Sequence, residues 1–201
     1  MVARTRTKGY TFDDFCLLVK DGQKGDLIDG VIYMASPDNT DANKLCVWLL
    51  GLMNLLVEAK DLGQMFVNRA AFRLDDGNSP EPDIAFVRKD RLPLVRRGFM
   101  DGPPDLAVEI VSPESVERDY EKKRRQYQQA GVSEYWIVDE VEETVALLRL
   151  GANRKYREVR PRKGTLASEA MPGFWIRPEW LWQNPLPKTL AILALLLKGP
   201  A

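Results

Sequence analysis

Three residues of this chain have types and positions that invite chemistry: Asp83, Glu109 and Lys123. Residues 106–111 alternate, with Leu106, Val108 and Ile110 on one face of an expected strand and Ala107, Glu109 and Val111 on the other. A carboxylate in mid-strand among apolar neighbours needs a partner. Asp83 follows Pro82, a residue suited to the first position of a strand, and so opens the segment 84–87. Lys123 falls on an expected helix over 116–130. At 100° per residue it shares an arc with Val116, Tyr120, Tyr127 and Ala130, whereas Lys122 and Arg125 point away. Two readings of Lys123 stay open: a buried ion pair with the inward glutamate, or a stem lying in the contact with its ammonium snorkelling to water. Two acids on neighbouring strands plus a lysine are the minimum set for metal-assisted phosphodiester hydrolysis. Mg²⁺ takes octahedral oxygen ligands from one or two carboxylates, waters and substrate phosphate. Such an ion lowers the pKa of a bound water, and a nearby ammonium favours the anion that forms. Isolated strand carboxylates also serve as caps or as partners of surface cations, so the pattern alone leaves that reading open.

The local structure carrying these side chains can be read from the surrounding sequence. Pro113 breaks the first strand, Gly131 stops the helix, and the apolar run 135–138 reads as a buried strand, which together make a βαβ-like unit. Upstream, Thr11 is suited to cap a helix whose buried stripe would be Phe12, Phe15, Leu18 and Val19. Leu-Ile-Asp-Gly-Val-Ile-Tyr over 27–33 is a hairpin signal, with Asp29-Gly30 fitting the positive φ of a type I′ turn and Asp26 at its entry. Leu45, Trp48, Leu49, Leu52, Met53, Leu55 and Leu56 recur at helical spacing, which predicts a long core helix. Strands are expected over 64–68 and 71–74, a basic connector over 89–102, an antiparallel pair over 144–150 and 155–159, and a short helix near 179–183.

Composition narrows the chemistry further. The 201 residues suit one domain, 1–201, with an N-terminal helix and hairpin over about 10–35 and a C-terminal helical tail over about 178–198. Lys plus Arg and Asp plus Glu are both 29, so no global field advertises nucleic acid or membrane, although a local basic patch is compatible with this balance. There is no histidine, which removes Ser-His and Cys-His catalysis, and Cys16 and Cys46 have no metal-ligand spacing. No apolar segment follows the basic first residues, so a cytoplasmic protein without a secretory signal or membrane partner is expected. The run 190–197 is too short to span a bilayer and predicts docking on the core or on a second subunit, hence a homodimer.

Several motifs, taken together, resemble a known family. Glu-Pro-Asp-Ile-Ala-Phe-Val, Pro-Asp-Leu-Ala-Val-Glu-Ile-Val-Ser-Pro, Asp119 with Lys123 and Tyr127, and Ala-Gly-Val-Ser-Glu-Tyr-Trp-Ile-Val-Asp are similar to the Uma-two family, within the PD-(D/E)XK nuclease superfamily. The likeness extends to the Asp-Leu-Ile-Asp-Gly hairpin and the late Met-Pro-Gly-Phe. It implies an α/β (mixed α+β) fold with a restriction endonuclease-like core, a mixed central sheet flanked by helices. It also implies Mg²⁺ or Mn²⁺ as cofactor and DNA as partner. By position, Asp83 and Glu109 match the family's metal-binding acids. The superfamily's usual lysine position falls on Val111, and Lys123 on the following helix takes that role instead. Asp26 stands where relatives carry glutamate, and is either a third carboxylate near the metal or simply a hairpin-entry residue. Asp119 is a further candidate that caps or pairs near Lys123, while Asp105 and Asp139 read as turn and strand-end residues. Lys122, Arg124 and Arg125 read as a phosphate-contacting patch or a solvated face. A histidine that relatives place before the long helix has no counterpart in 38–43. The leading expectation is a metal-dependent DNA endonuclease. The alternatives are a catalytically idle nucleic-acid-binding or regulatory protein and an assembly module built on the apolar C-terminus.

Overall fold

The computed structural model describes residues 9–20, 22–36 and 39–199. The first helix, α1 (Phe12–Leu18), is closed by a capping box between Thr11 and Asp14. Its buried face is narrower than the expected stripe: Phe12 and Phe15 are buried, while Leu18 is exposed because the helix ends there. Strands β1 (Gly25–Ile28) and β2 (Val31–Met34) form the hairpin, with Asp29 at φ 50° and Gly30 at φ 74° in the turn. Helix α2 (Thr40–Lys60) is capped by the Asn39 side chain and ends at Asp61 in the left-handed region. It is long and apolar enough to cross a membrane, yet Leu45, Leu49, Leu52 and Leu56 are buried against the sheet.

Next come β3 (Gly63–Val67), β4 (Ala71–Phe72), β5 (Ile84–Arg88), β6 (Phe99–Met100) and β7 (Leu106–Val111). The connector between β5 and β6 is partly a 3₁₀ turn over Lys89–Leu94. Helix α3 (Arg124–Ala130) continues from a π-helical turn over Arg118–Lys123 and stops at Gly131, φ 88°. The chain closes with β8 (Glu134–Asp139), β9 (Thr144–Leu150), β10 (Tyr156–Glu158), β11 (Leu166–Ala167), β12 (Trp175–Ile176) and α4 (Thr189–Lys198). The short helix expected near 179–183 is instead a 3₁₀ turn at Pro178–Trp180.

The central sheet has six strands in the order β10-β9-β8-β7-β5-β3, with β7 and β8 parallel and the other neighbours antiparallel. The parallel pair is the βαβ unit read from the sequence, since an intervening helix is what lets consecutive strands run the same way. Helices α2 and α4 cover one face, packing with Leu106, Val108, Ile110, Trp136 and Val138. Helix α3 covers the other, where Tyr127 and Val132 meet Ala107, Val111, Tyr135 and Ile137. Both faces of β7 and β8 are therefore buried, which explains their near-continuous apolar sequence; Glu109 is the exception within β7, while Glu134 and Asp139 stand at the two ends of β8.

Candidate active site

Glu109 and Asp83 meet because of register. Strand β5 pairs β7 with Ile84 opposite Val108, so one further step sets Asp83 across from Glu109 with both side chains on the α3 face. The Asp83 carboxylate is fixed by the Ile110 backbone N–H, which donates to Oδ2 at 2.7 Å. Glu109 Oε1 accepts from the Tyr127 hydroxyl at 2.9 Å and lies 2.9 Å from Lys123 Nζ. Lys123 is 2% exposed, so the snorkelling alternative is overturned: its ammonium also lies 3.0 Å from Asp26 Oδ2 and 3.7 Å from Asp119 Oδ1.

The helix reaches this geometry differently from the expected arc. The turn over Arg118–Lys123 is π-helical, which adds a residue to the turn and rotates the downstream helix. Val116, placed by regular spacing beside Lys123, is consequently 45% exposed, while Asp119, Lys123, Gln126 and Tyr127 form the buried face. Asp119 is held by its own N–H to the Ser115 carbonyl at 2.8 Å and by Tyr135, whose hydroxyl donates to its carbonyl at 3.0 Å.

The hairpin brings the remaining charges. Leu27 and Ser79 exchange two backbone hydrogen bonds, which lays β1 along the segment that leads into Asp83. Glu81 N–H donates to Asp26 Oδ1 at 2.9 Å, and Gly25 N–H donates to Glu81 Oε2 at 3.0 Å. Asp26 is thus a member of the cluster. Its Oδ2 also faces the Arg118 guanidinium at 3.6 Å. Lys24, two residues before Asp26 on the same approach, pairs with Asp83 Oδ1 and lies 3.2 Å from Asn68 Oδ1. Lys24, Asp26, Asp83, Glu109, Arg118, Asp119 and Lys123 line a cavity of about 230 Å³, together with Ser112, Ser115, Ser36 and Cys46.

Asp105 and Asp139 stay outside it, as expected. Asp105 accepts from the Arg88 N–H at 2.9 Å and pairs with Arg91 at 3.0 Å, and Asp139 caps Val141 and Glu142. Of the basic residues on the helix, two are occupied by the hairpin. Lys122 approaches the Tyr33 hydroxyl at 3.4 Å and Glu117 at 3.1 Å, and Arg125 pairs with Asp29. Arg124 is exposed.

Lys24, Glu81 and Arg118 escaped the sequence reading. Period-two spacing from Asp26 back to Lys24 and from Asp83 back to Glu81 was the available signal. Regular helical spacing groups Arg118 with Lys122 on the solvent side, so only the π turn discloses it.

Charge in the cluster does not balance. Asp26, Glu81, Asp83, Glu109 and Asp119 are buried together, against the cations Lys24, Arg118 and Lys123. Burial pushes the Glu109 carboxyl up to about 8; the Lys123 ammonium opposes this, and Asp83, Asp119 and Asp26 add to it. Burial likewise pushes Glu81 up to about 7, against the Gly25 N–H that favours its charged form. Asp119 is raised by burial too, despite Lys123, and its Oδ1 has no hydrogen-bond partner. Burial alone would lower Lys123, but Asp26, Glu109, Asp119 and Asp83 together raise it, so the ammonium stays charged. Protons on the carboxyls and a divalent cation are alternative ways to cancel the same excess. The donors are all oxygen, which suits Mg²⁺ or Mn²⁺ better than zinc. Among the described residues no three acidic or thiol side chains enclose an ion by themselves. A cation shared by Asp83 and Glu109 would complete its shell with water and substrate oxygen, as Mg²⁺ commonly does.

Comparisons with known proteins agree with this architecture. The chain is similar in structure to a putative nuclease belonging to DUF820 from Anabaena variabilis, with a TM-score of 0.71 and 19% identity, over 86% of this chain and 97% of that one. No curated protein matches the sequence. The model of the Uma2 family, described as "Putative restriction endonuclease", matches residues 11–179. That span includes both strands of the carboxylate pair, the π turn and the hairpin, and the chain belongs to the Uma2 family.

Proposed function

We propose that this protein is a divalent-cation-dependent endonuclease that hydrolyses phosphodiester bonds of DNA. The observation that carries the reading is the Asp83–Glu109 pair, set opposite each other across two strands in a buried cluster with an excess of negative charge. Asp83 and Glu109 are the residues to hold Mg²⁺ or Mn²⁺. When bound there, the cation supplies Lewis-acid activation of water and neutralises charge on the phosphate. Lys123 does the protein's share of electrostatic work. Its ammonium is kept charged and fixed by Asp26, Glu109 and Asp119, so it cannot act as a base, and it presents a preorganised positive charge to the anion of the transition state. Tyr127 orients Glu109 through its hydroxyl, and Arg118 holds Asp26 from the cavity wall. Arg124 is the best placed of the helix cations to meet DNA phosphate, since Lys122 and Arg125 are engaged by the hairpin.

Double-strand cleavage would suit two such sites in a homodimer. Leu190, Leu195 and Leu197 of α4 are exposed alongside Val47 of α2, and an apolar surface of this kind favours self-association. One observation favours the alternative of an idle nucleic-acid-binding protein: Asp83 already has a partner on each oxygen, one of them a lysine. Incubation with supercoiled, linear and single-stranded DNA in Mg²⁺ or Mn²⁺ separates the two readings. The endonuclease reading expects cleavage that EDTA and Glu109→Ala abolish. Cleavage surviving Glu109→Ala, or none with any substrate while DNA is still bound, would overturn it.

A further inference from the structure

We infer that Lys24 is a displaceable counter-ion which competes with a divalent cation for Asp83 and so sets how readily the site takes metal. The inference rests on the assignment of Asp83 and Glu109 as cation-holding residues. Asp83 has two carboxylate oxygens, and Oδ2 is committed to the Ile110 backbone N–H at 2.7 Å. Oδ1 remains, and the Lys24 ammonium sits on it. An ammonium and a divalent cation cannot share that oxygen at contact distance, because like charges a few ångströms apart in a poorly solvated cavity repel strongly.

The two lysines of the cavity differ in whether they can yield. The Lys123 side chain is 2% exposed and faces three carboxylates from β1, β7 and its own turn, so it has nowhere to go. The Lys24 side chain is 19% exposed and lies at the mouth of the hairpin on a flexible four-carbon stem. It has a neutral acceptor ready in Asn68 Oδ1 at 3.2 Å, so it can leave Asp83 without losing its remaining hydrogen bond. Lys24 is therefore the cation that gives way, and Asp83 is the acid that it releases.

The test is calorimetric titration of Mg²⁺ and Mn²⁺ into the full chain, its Lys24→Met and Lys24→Gln variants, and the same variants in an Asp83→Asn background. Both single variants are expected to bind about tenfold tighter than the parent, with the gain absent when Asp83 is Asn. Lys24→Gln keeps a neutral polar donor on a side chain one bond shorter, so it reports on charge even if the methionine variant perturbs the hairpin. Unchanged or weaker binding in the glutamine variant would show that Lys24 braces Asp83 rather than competing for it, and would overturn the inference. A gain that persists in the Asp83→Asn background would also overturn it. If no protein in the set binds either cation, the carboxylate assignment itself falls and the inference with it.

Discussion

Removing Lys123 tests the cluster most directly. The sequence alone suggests that Lys123→Ala would spare folding and cost only catalysis. The structure predicts that folding suffers too. The substitution leaves Asp26, Glu109 and Asp119 buried with one cation fewer, at sites 5% exposed or less. Removing one partner of a buried ion pair typically costs about 3–5 kcal/mol, a large part of the roughly 5–15 kcal/mol that a folded domain has to lose. The loss should depend on pH. In the parent, Glu109 is raised to about 8 from an ordinary 4.5, so the native state binds the proton more tightly than the unfolded chain does. For such a group, stability is greatest at low pH and falls as pH rises from about 4.5 through 8. Lys123 stays charged throughout that window, so it contributes no slope of its own. Without it, Glu109 and Asp119 hold their protons to still higher pH, and the penalty is greatest where they are forced to ionise. Urea unfolding in EDTA should therefore show Lys123→Ala close to the parent near pH 5 and several kcal/mol weaker at pH 8, with Mg²⁺ recovering part of the difference by binding the native state. A variant within about 1 kcal/mol of the parent at pH 8 would mean that the carboxylates are hydrated rather than buried, and the argument from charge excess would fail.

Other substitutions probe neighbouring parts of the same reasoning. Glu81→Gln keeps an acceptor for the Gly25 N–H and removes a carboxyl raised from 4.5 to about 7, so it should stabilise the protein by up to about 3 kcal/mol at pH 8. That gain should vanish below pH 4.5 in paired unfolding curves. Tyr127→Phe keeps the edge-to-face contact with Tyr135 at 4.9 Å but removes the donor to Glu109, and should cost about 1–3 kcal/mol by the same assay. Arg124→Ala should lower DNA affinity evenly across sequences and reduce the salt slope by about one in fluorescence anisotropy titrations. Leu190→Asp with Leu197→Asp should turn a dimer into a monomer in sedimentation at micromolar concentration, and a parent that already sediments as a monomer would refute the dimer.

The range of each interaction decided whether the sequence disclosed it. Alternation in 106–111 was enough to find Glu109 on the α3 face, because period-two patterning is local and β7 is buried on both sides. The Asp-Gly turn, the Gly131 stop and the long α2 stripe were legible for the same reason. Lys24 was not, because its partner lies 59 residues away and becomes a neighbour only when β1 docks along Ser79. The π turn was hidden more deeply. Regular 100° spacing placed Lys123 correctly, with Asp119 one turn before it, but it also set Val116 on that face, where the structure leaves the valine exposed.

The burial of Asp119 while Val116 stays exposed has a physical logic. Four-residue spacing sets the Asp119 carboxylate one turn from the ammonium, at 3.7 Å, and the π turn withdraws Val116, the apolar neighbour that regular spacing would have added. That choice deepens the negative excess around Asp83 and Glu109. A fold selected only for stability gains nothing from burying more acids than its cations can match, since replacing buried ionic groups by apolar ones is often neutral or stabilising. The surplus is intelligible if the cluster's working state includes a further positive charge. Glu109 at about 8 and Glu81 at about 7 hold protons in its place, and those protons are the ones a bound divalent cation should release near neutral pH.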